Sequence, residues 1–145
     1  MPIPALTNGL LPSGVHVCTL DEIGGLFGKP SIQRATLFND LRLYLDGLRK
    51  VKRVRALIID GSFITDDPNP GDLDVLVVLD PEATERLQAF EYSHLSQRLV
   101  NKKYKGSVHI HLAREESSEY RQYVSFFQQV KLRPSEIKGV LRVNL

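Results

Sequence analysis

Along most of the chain the apolar positions follow one of two rhythms, and each rhythm predicts an element. Ile32, Ala35, Phe38, Leu41, Leu45 and Leu48 recur at spacings of three and four, with Arg34, Asp40, Arg42, Asp46 and Arg49 between them. This pattern predicts a helix over residues 32–50, capped by Ser31. Ahead of it, Thr19-Leu20-Asp21-Glu22 spells a capping box for a short helix that Gly28 and Pro30 end. Residues 55–60 and 73–79 are strand candidates, the second apolar enough to be covered on both faces. Val108, Ile110 and Leu112 alternate with Ser107, His109 and His111, and Leu141, Val143 and Leu145 alternate in the same way. Both patterns predict half-buried strands. Helical spacing returns at Ser118–Val130 through Tyr120, Val124 and Phe127, with Tyr123, Phe126 and Val130 widening the apolar face.

The remaining segments are punctuation. Asp66-Asp67-Pro68-Asn69-Pro70-Gly71 is a loop, and Asp80-Pro81 reads as the start of helical material that runs to about Lys103 with a break near Glu91. Residues 1–18, interrupted by Pro2, Pro4, Gly9, Pro12 and Gly14, read as an irregular lead-in. Helices interleaved with three or four strands, without repeat or linker, predict one α/β (α+β) domain over residues 19–145.

Composition adds mainly exclusions. The 145 residues, 42% hydrophobic and 25% charged, are enough for a core without disulfides or structural metal. The single cysteine, Cys18, rules out an internal disulfide framework and a multi-cysteine zinc site, and it has no evident catalytic partner. A net charge of +2 is too small to argue for nucleic-acid binding by itself. The longest apolar run, Val75–Leu79, is far short of a membrane span, and the N-terminus lacks the basic start of a signal peptide. The expectation is a soluble cytoplasmic protein without membrane association. The basic run Arg49–Arg55 reads first as a helix C-terminus favoured by the macrodipole, and Tyr120, Tyr123, Phe126 and Phe127 read as packing.

One stretch carries chemistry. Asp72 and Asp74 stand two apart at the start of a strand, so both carboxylates point to the same side. They repel unless a cation lies between them, and hard oxygen ligands suit Mg²⁺ or Mn²⁺. Gly61-Ser62 closes the preceding strand, and such a turn lets phosphate oxygens approach the backbone and the serine hydroxyl. A phosphate cradle beside a metal-binding pair is the minimum equipment for phosphoryl or nucleotidyl transfer.

Gly61-Ser62, nine intervening residues and Asp72-Leu73-Asp74-Val75 resemble the signature of the nucleotidyltransferase superfamily related to DNA polymerase beta. The similarity extends to context, with a helix, strand, turn, loop and strand in that order. Leu11-Pro12-Ser13-Gly14-Val15-His16 and Asp60-Gly61-Ser62-Phe63 add a resemblance to small uncharacterised prokaryotic proteins assigned to that superfamily. The resemblance implies a mixed sheet packed on helices, with Asp72 and Asp74 holding metal and Gly61 and Ser62 holding a nucleoside triphosphate, ATP first. A protein or nucleic-acid hydroxyl would accept the nucleotide.

The chain departs from that pattern on the later strand, where the family places a third carboxylate. Ser107–Leu112 offers His109 and His111 instead, with Glu115 and Glu116 just beyond. The histidines therefore join Asp72 and Asp74 as candidate catalytic residues. A chain this short also needs a partner, either a toxin-like protein modified as antitoxins modify their toxins or a second copy in a homodimer. A non-catalytic nucleotide- or protein-binding module is the competing expectation.

Overall fold

The central feature of the computed structural model, which describes residues 3–29, 31–82, 88–130 and 133–145, is a mixed five-stranded sheet. In chain order the elements begin with β1 (Gly14–Val17), α1 (Leu20–Phe27), α2 (Ile32–Leu48) and β2 (Val54–Asp60). A 3-10 turn (Ser62–Ile64), β3 (Leu73–Leu79), α3 (Ala89–Leu95), α4 (Gln97–Lys103) and β4 (Val108–Arg114) follow. The chain closes with α5 (Ser118–Gln128), β5 (Gln129–Val130), β6 (Arg133–Ile137) and β7 (Gly139–Asn144). The sheet order is β1-β7-β2-β3-β4, and β5 and β6 form a separate two-stranded ribbon. The outer pairs β1–β7 and β3–β4 are parallel, while β2 is antiparallel to both of its neighbours.

Strand alternation sorts the side chains into two cores. One face sets Leu57, Ile59, Leu73, Val75, Val77, Val108, Ile110, Leu141 and Val143 against α1, α2, α3 and α4. The other packs Ala56, Ile58, Leu76, Val78, Ala113 and Val140 under Tyr120 and Phe127 of α5. This two-sided burial explains the almost continuous apolar run in β3. At the start of α1 both halves of the capping box form: Glu22 N–H donates to Thr19 Oγ1, and Thr19 N–H donates to Glu22 Oε1. Such caps contribute on the order of 1 kcal/mol. Among the described residues no helix is long and apolar enough to cross a membrane.

The expected α/β domain with a mixed sheet on helices is observed, and several local expectations are corrected. Gly14–Val17, placed in the irregular lead-in, forms a strand because β7, more than 120 residues downstream, supplies its parallel partner. In α2 the buried stripe is Arg34, Leu37, Leu41, Tyr44, Leu45 and Leu48, while Ile32 is 87% exposed. Leu41, Leu45 and Leu48 are buried as expected, while in the first turns Arg34 and Leu37 face inward in place of Ile32 and Ala35, because a buried arginine does not register as an inward position. The break in the helical segment falls at Ser96, which ends α3 and caps α4, rather than near Glu91. At Asp80 the side chain accepts from Glu82 N–H within a turn, and the rest of that expected helix start, residues 83–87, lies outside the described residues. Val130 belongs to the ribbon rather than to α5, and Phe126 is 63% exposed.

Candidate functional site

The site is built at the end of the sheet where β2 finishes and β3 and β4 begin. Gly61 leaves β2 with φ +101° and ψ 178°, a region open essentially to glycine, which costs a residue with a side chain about 1–3 kcal/mol. A Cβ there would lie 3.1 Å from the Asp72 carbonyl oxygen and 3.3 Å from the Asp74 nitrogen. Glycine therefore lets the Gly61-Ser62 turn lie directly against the start of β3. The turn continues into the 3-10 segment, in which Ile64 N–H donates to the Gly61 carbonyl and Thr65 N–H to that of Ser62.

Arg34 supports this loop from beneath. Only 4% exposed, its guanidinium donates to the carbonyls of Phe27 (3.2 Å), Phe63 (2.6 Å), Thr65 (2.7 Å) and Asp67. Its planar fork of donors suits four carbonyls arranged around it, which a lysine would not satisfy.

Register brings the charged groups together. Asp60 of β2 is directly opposite Asp74 of β3, and Asp74 is in turn level with His109 of β4. Residues in register share a face, so these three side chains and Asp72, two positions before Asp74, project on the α5 side of the sheet. His109 Nε2 lies 3.2 Å from Asp72 Oδ2, with both side chains more than 40% exposed. Asp60 is buried, and its Oδ1 meets Lys138 Nζ at 2.8 Å. Asp60 Oδ1 is sealed from solvent and has no partner besides Lys138 among the described residues.

The electrostatics follow from this crowding. Burial, and then the charge of Asp72, push the Asp74 carboxyl above its ordinary range, while His109, His111 and Lys138 pull it back. Burial also raises Asp60, against the pull of Lys138 and of Gly61 N–H, with Asp74 adding to the rise. His111 is held below the usual imidazole range, mainly by burial. Its ring lies against Tyr123, with centroids 4.9 Å apart, and Phe127, at 5.8 Å, so it faces α5 one step further along β4.

The structure thus brings Gly61, Ser62, Asp72, Asp74 and His109 to one sheet end and sets His111 at its margin under α5. Glu115, considered as a replacement acid, is at the opposite end. Its N–H donates to the Leu79 carbonyl, and its carboxylate is bound by Arg142 at 2.5 Å. Glu116 follows it there. Because β4 runs parallel to β3, residues past its end cannot return to the Asp72 end.

Sequence reasoning missed three participants. Asp60 stood next to Gly61 in the motif, and period two along β2 was the available signal that it faces Asp74. Arg34 falls among the polar positions of the helical pattern over residues 32–50, which point to the surface. Lys138 had no local signal, because the ribbon that delivers it was not predicted. Among the described residues no three His, Cys, Asp or Glu side chains form a ready metal-binding group. Asp72 and Asp74 nevertheless fit a divalent cation of the kind that takes one or two carboxylates and completes its shell with water and phosphate oxygens.

Fold and site together define a single-domain α/β protein in which an acid-rich sheet end lies against a glycine turn. The chain belongs to the family of unknown function DUF6932, whose model matches residues 4–144. No curated protein and no solved structure matches the chain significantly.

Proposed function

We propose that this protein is a metal-dependent nucleotidyltransferase that moves a nucleoside monophosphate from a nucleoside triphosphate, ATP first, onto a protein or nucleic-acid hydroxyl. The observation that carries this reading is the close packing of Gly61 on the backbone of Asp72 and Asp74, which puts a side-chain-free turn beside a repelling acid pair. Asp72 and Asp74 are the residues to hold Mg²⁺ or Mn²⁺. When bound, the cation supplies neutralisation of phosphate charge.

The chain's own groups divide the remaining work. The backbone at Gly61 admits a phosphate oxygen at close range, and Ser62 offers a hydroxyl donor. His109, held by Asp72, is oriented to take the proton of the attacking hydroxyl. The acceptor oxygen bonds to the α-phosphorus, the bond from that phosphorus to the bridging oxygen breaks, and pyrophosphate leaves. His111 stacks on Tyr123 and shapes the wall below. The acceptor arrives on a partner, a toxin-like protein or a second copy of the chain.

The competing reading is a non-catalytic nucleotide- or protein-binding module. It draws on His109 standing level with Asp74 on β4, where the resemblance calls for an acid. Calorimetric titration of ATP and GTP with Mg²⁺ and with Mn²⁺ separates the two. Metal-dependent binding that disappears in Asp72→Ala/Asp74→Ala supports a nucleotide site and directs the search to the acceptor. Absence of binding for both nucleotides with both metals overturns the enzyme and leaves a scaffold for protein contacts.

A further inference from the structure

We propose that Lys138 is a tethered cation of the acid cluster, standing against Asp60 where a second divalent ion would otherwise bind, so that the site takes about one Mg²⁺ or Mn²⁺ per chain. The inference rests on the metal-binding reading of Asp72 and Asp74 given above and adds the stoichiometry and the residue that sets it.

Three acids converge at this sheet end, and enzymes of phosphoryl and nucleotidyl transfer commonly answer such convergence with paired metal ions. Here part of the compensation comes from a side chain of the protein itself. Lys138 Nζ lies 2.8 Å from Asp60 Oδ1, and the two side chains are 13% and 8% exposed. A divalent ion needs an accessible carboxylate oxygen and room for its waters. Asp60 Oδ1 is sealed from solvent and already faces an ammonium, whereas the Asp72 side chain is 43% exposed.

The lysine is fixed by its backbone on both sides. Lys138 N–H donates to the Gln128 carbonyl at 2.9 Å, and Gly139 N–H donates to the Leu11 carbonyl at 3.0 Å. At Gly139 a Cβ would fall 2.0 Å from the Pro12 carbonyl oxygen, so the lead-in chain closes tightly over this junction. Lys138 is the one partner that Asp60 Oδ1 has among the described residues, whereas Arg53 and Glu91 meet at two points, both at 3.2 Å.

The test counts Mn²⁺ bound to the full chain by electron paramagnetic resonance. The wild type is expected to bind about one ion, and Lys138→Met, checked for folding by circular dichroism, about two as Asp60 becomes available. Two ions in the wild type, or a folded Lys138→Met that still binds one, overturn the inference while the metal-site reading stands. No ion in the wild type removes that reading and the inference with it. A second measurement needs no variant. Acylation of Lys138 by an N-hydroxysuccinimide ester, read by mass spectrometry, is expected to stay within about twofold of its metal-free rate at saturating Mn²⁺. A rise of tenfold or more means that the ion displaces the lysine, which also overturns the inference.

Discussion

At the end of the sheet where β2 starts and β3 stops, Arg53, Arg55 and Arg142 each have an anion beside them. Arg55 lies 3.1 Å from Asp80 and 3.7 Å from Glu115, Arg142 holds Glu115 at 2.5 Å, and Arg53 pairs with the buried Glu91. At the other end, among the described residues, Asp60 pairs with one lysine, Lys138, and Asp72 with one histidine, His109, beside Asp74. The same strands support both arrangements, so the imbalance does not follow from the architecture. Charges that only hold strands and loops together settle into pairs. An excess of one sign, retained against repulsion and burial, is a cost to folding that a ligand of opposite charge relieves.

The strongest way to break the acidic end is from below. Arg34→Ala removes the guanidinium shared by the carbonyls of Phe27, Phe63, Thr65 and Asp67 and leaves them with unmet acceptors in a buried setting. Each such loss costs on the order of 1 kcal/mol or more, so destabilisation of about 3 kcal/mol is expected in urea unfolding. Faster amide exchange should spread through residues 61–67. A variant within about 0.5 kcal/mol of wild type would show that the loop holds itself.

The contrast sharpens when one acid from each end is neutralised. Glu115→Gln weakens the bond to Arg142 and should cost about 2 kcal/mol, since both side chains are mostly buried. Asp74→Asn removes like-charge repulsion and should stabilise the chain by about 0.5–1 kcal/mol while abolishing metal-dependent nucleotide binding. The pH arm has a definite sign. Asp74 and Asp60 hold protons more tightly when folded than when unfolded, so their cost is present at neutral pH and is relieved as pH falls through their raised folded values. Between neutral pH and the ordinary carboxylate range, the wild type should therefore gain stability that Asp74→Asn gains less of. Shifts of the urea midpoint in the same direction for both variants would remove the distinction between the two ends.

How much of this was legible in the sequence depended on how local each signal was. β3 matches its apolar run at both ends, and the α1 cap matches its four-letter box, because each is decided within one turn or one strand. The Gly61 turn and the Asp72–Asp74 pair were visible for the same reason. What stayed hidden was set by distant partners. β1 exists because β7 lies alongside it, Arg34 is buried because carbonyls from three segments surround it, and Lys138 reaches Asp60 only through the β5–β6 ribbon. The histidines were partly legible. Alternation put both on one face, but only the sheet order separates His109 at Asp72 from His111 under Tyr123.

The smallest expected effect tests the paired end at its surface. Arg55 is 51% exposed and touches two acids that each have another partner: Glu115 keeps Arg142, and Asp80 still accepts from Glu82 N–H. Exposed ion pairs of this kind lose most of their strength to water and salt. Arg55→Ala should shift the urea midpoint by an amount barely resolvable at low ionic strength and not at all in high salt. Asp80 is held below the usual carboxylate range first by Glu82 N–H and then by Arg55. Its contribution is present above the ordinary carboxylate pKa and is lost as pH falls through the depressed folded value, so any small difference between the variant and wild type belongs to neutral pH and closes in acid. A large loss at neutral pH would mean that the paired end works as one cooperative network rather than as separate pairs. The difference between the two ends would then lie in connectivity as well as in charge balance.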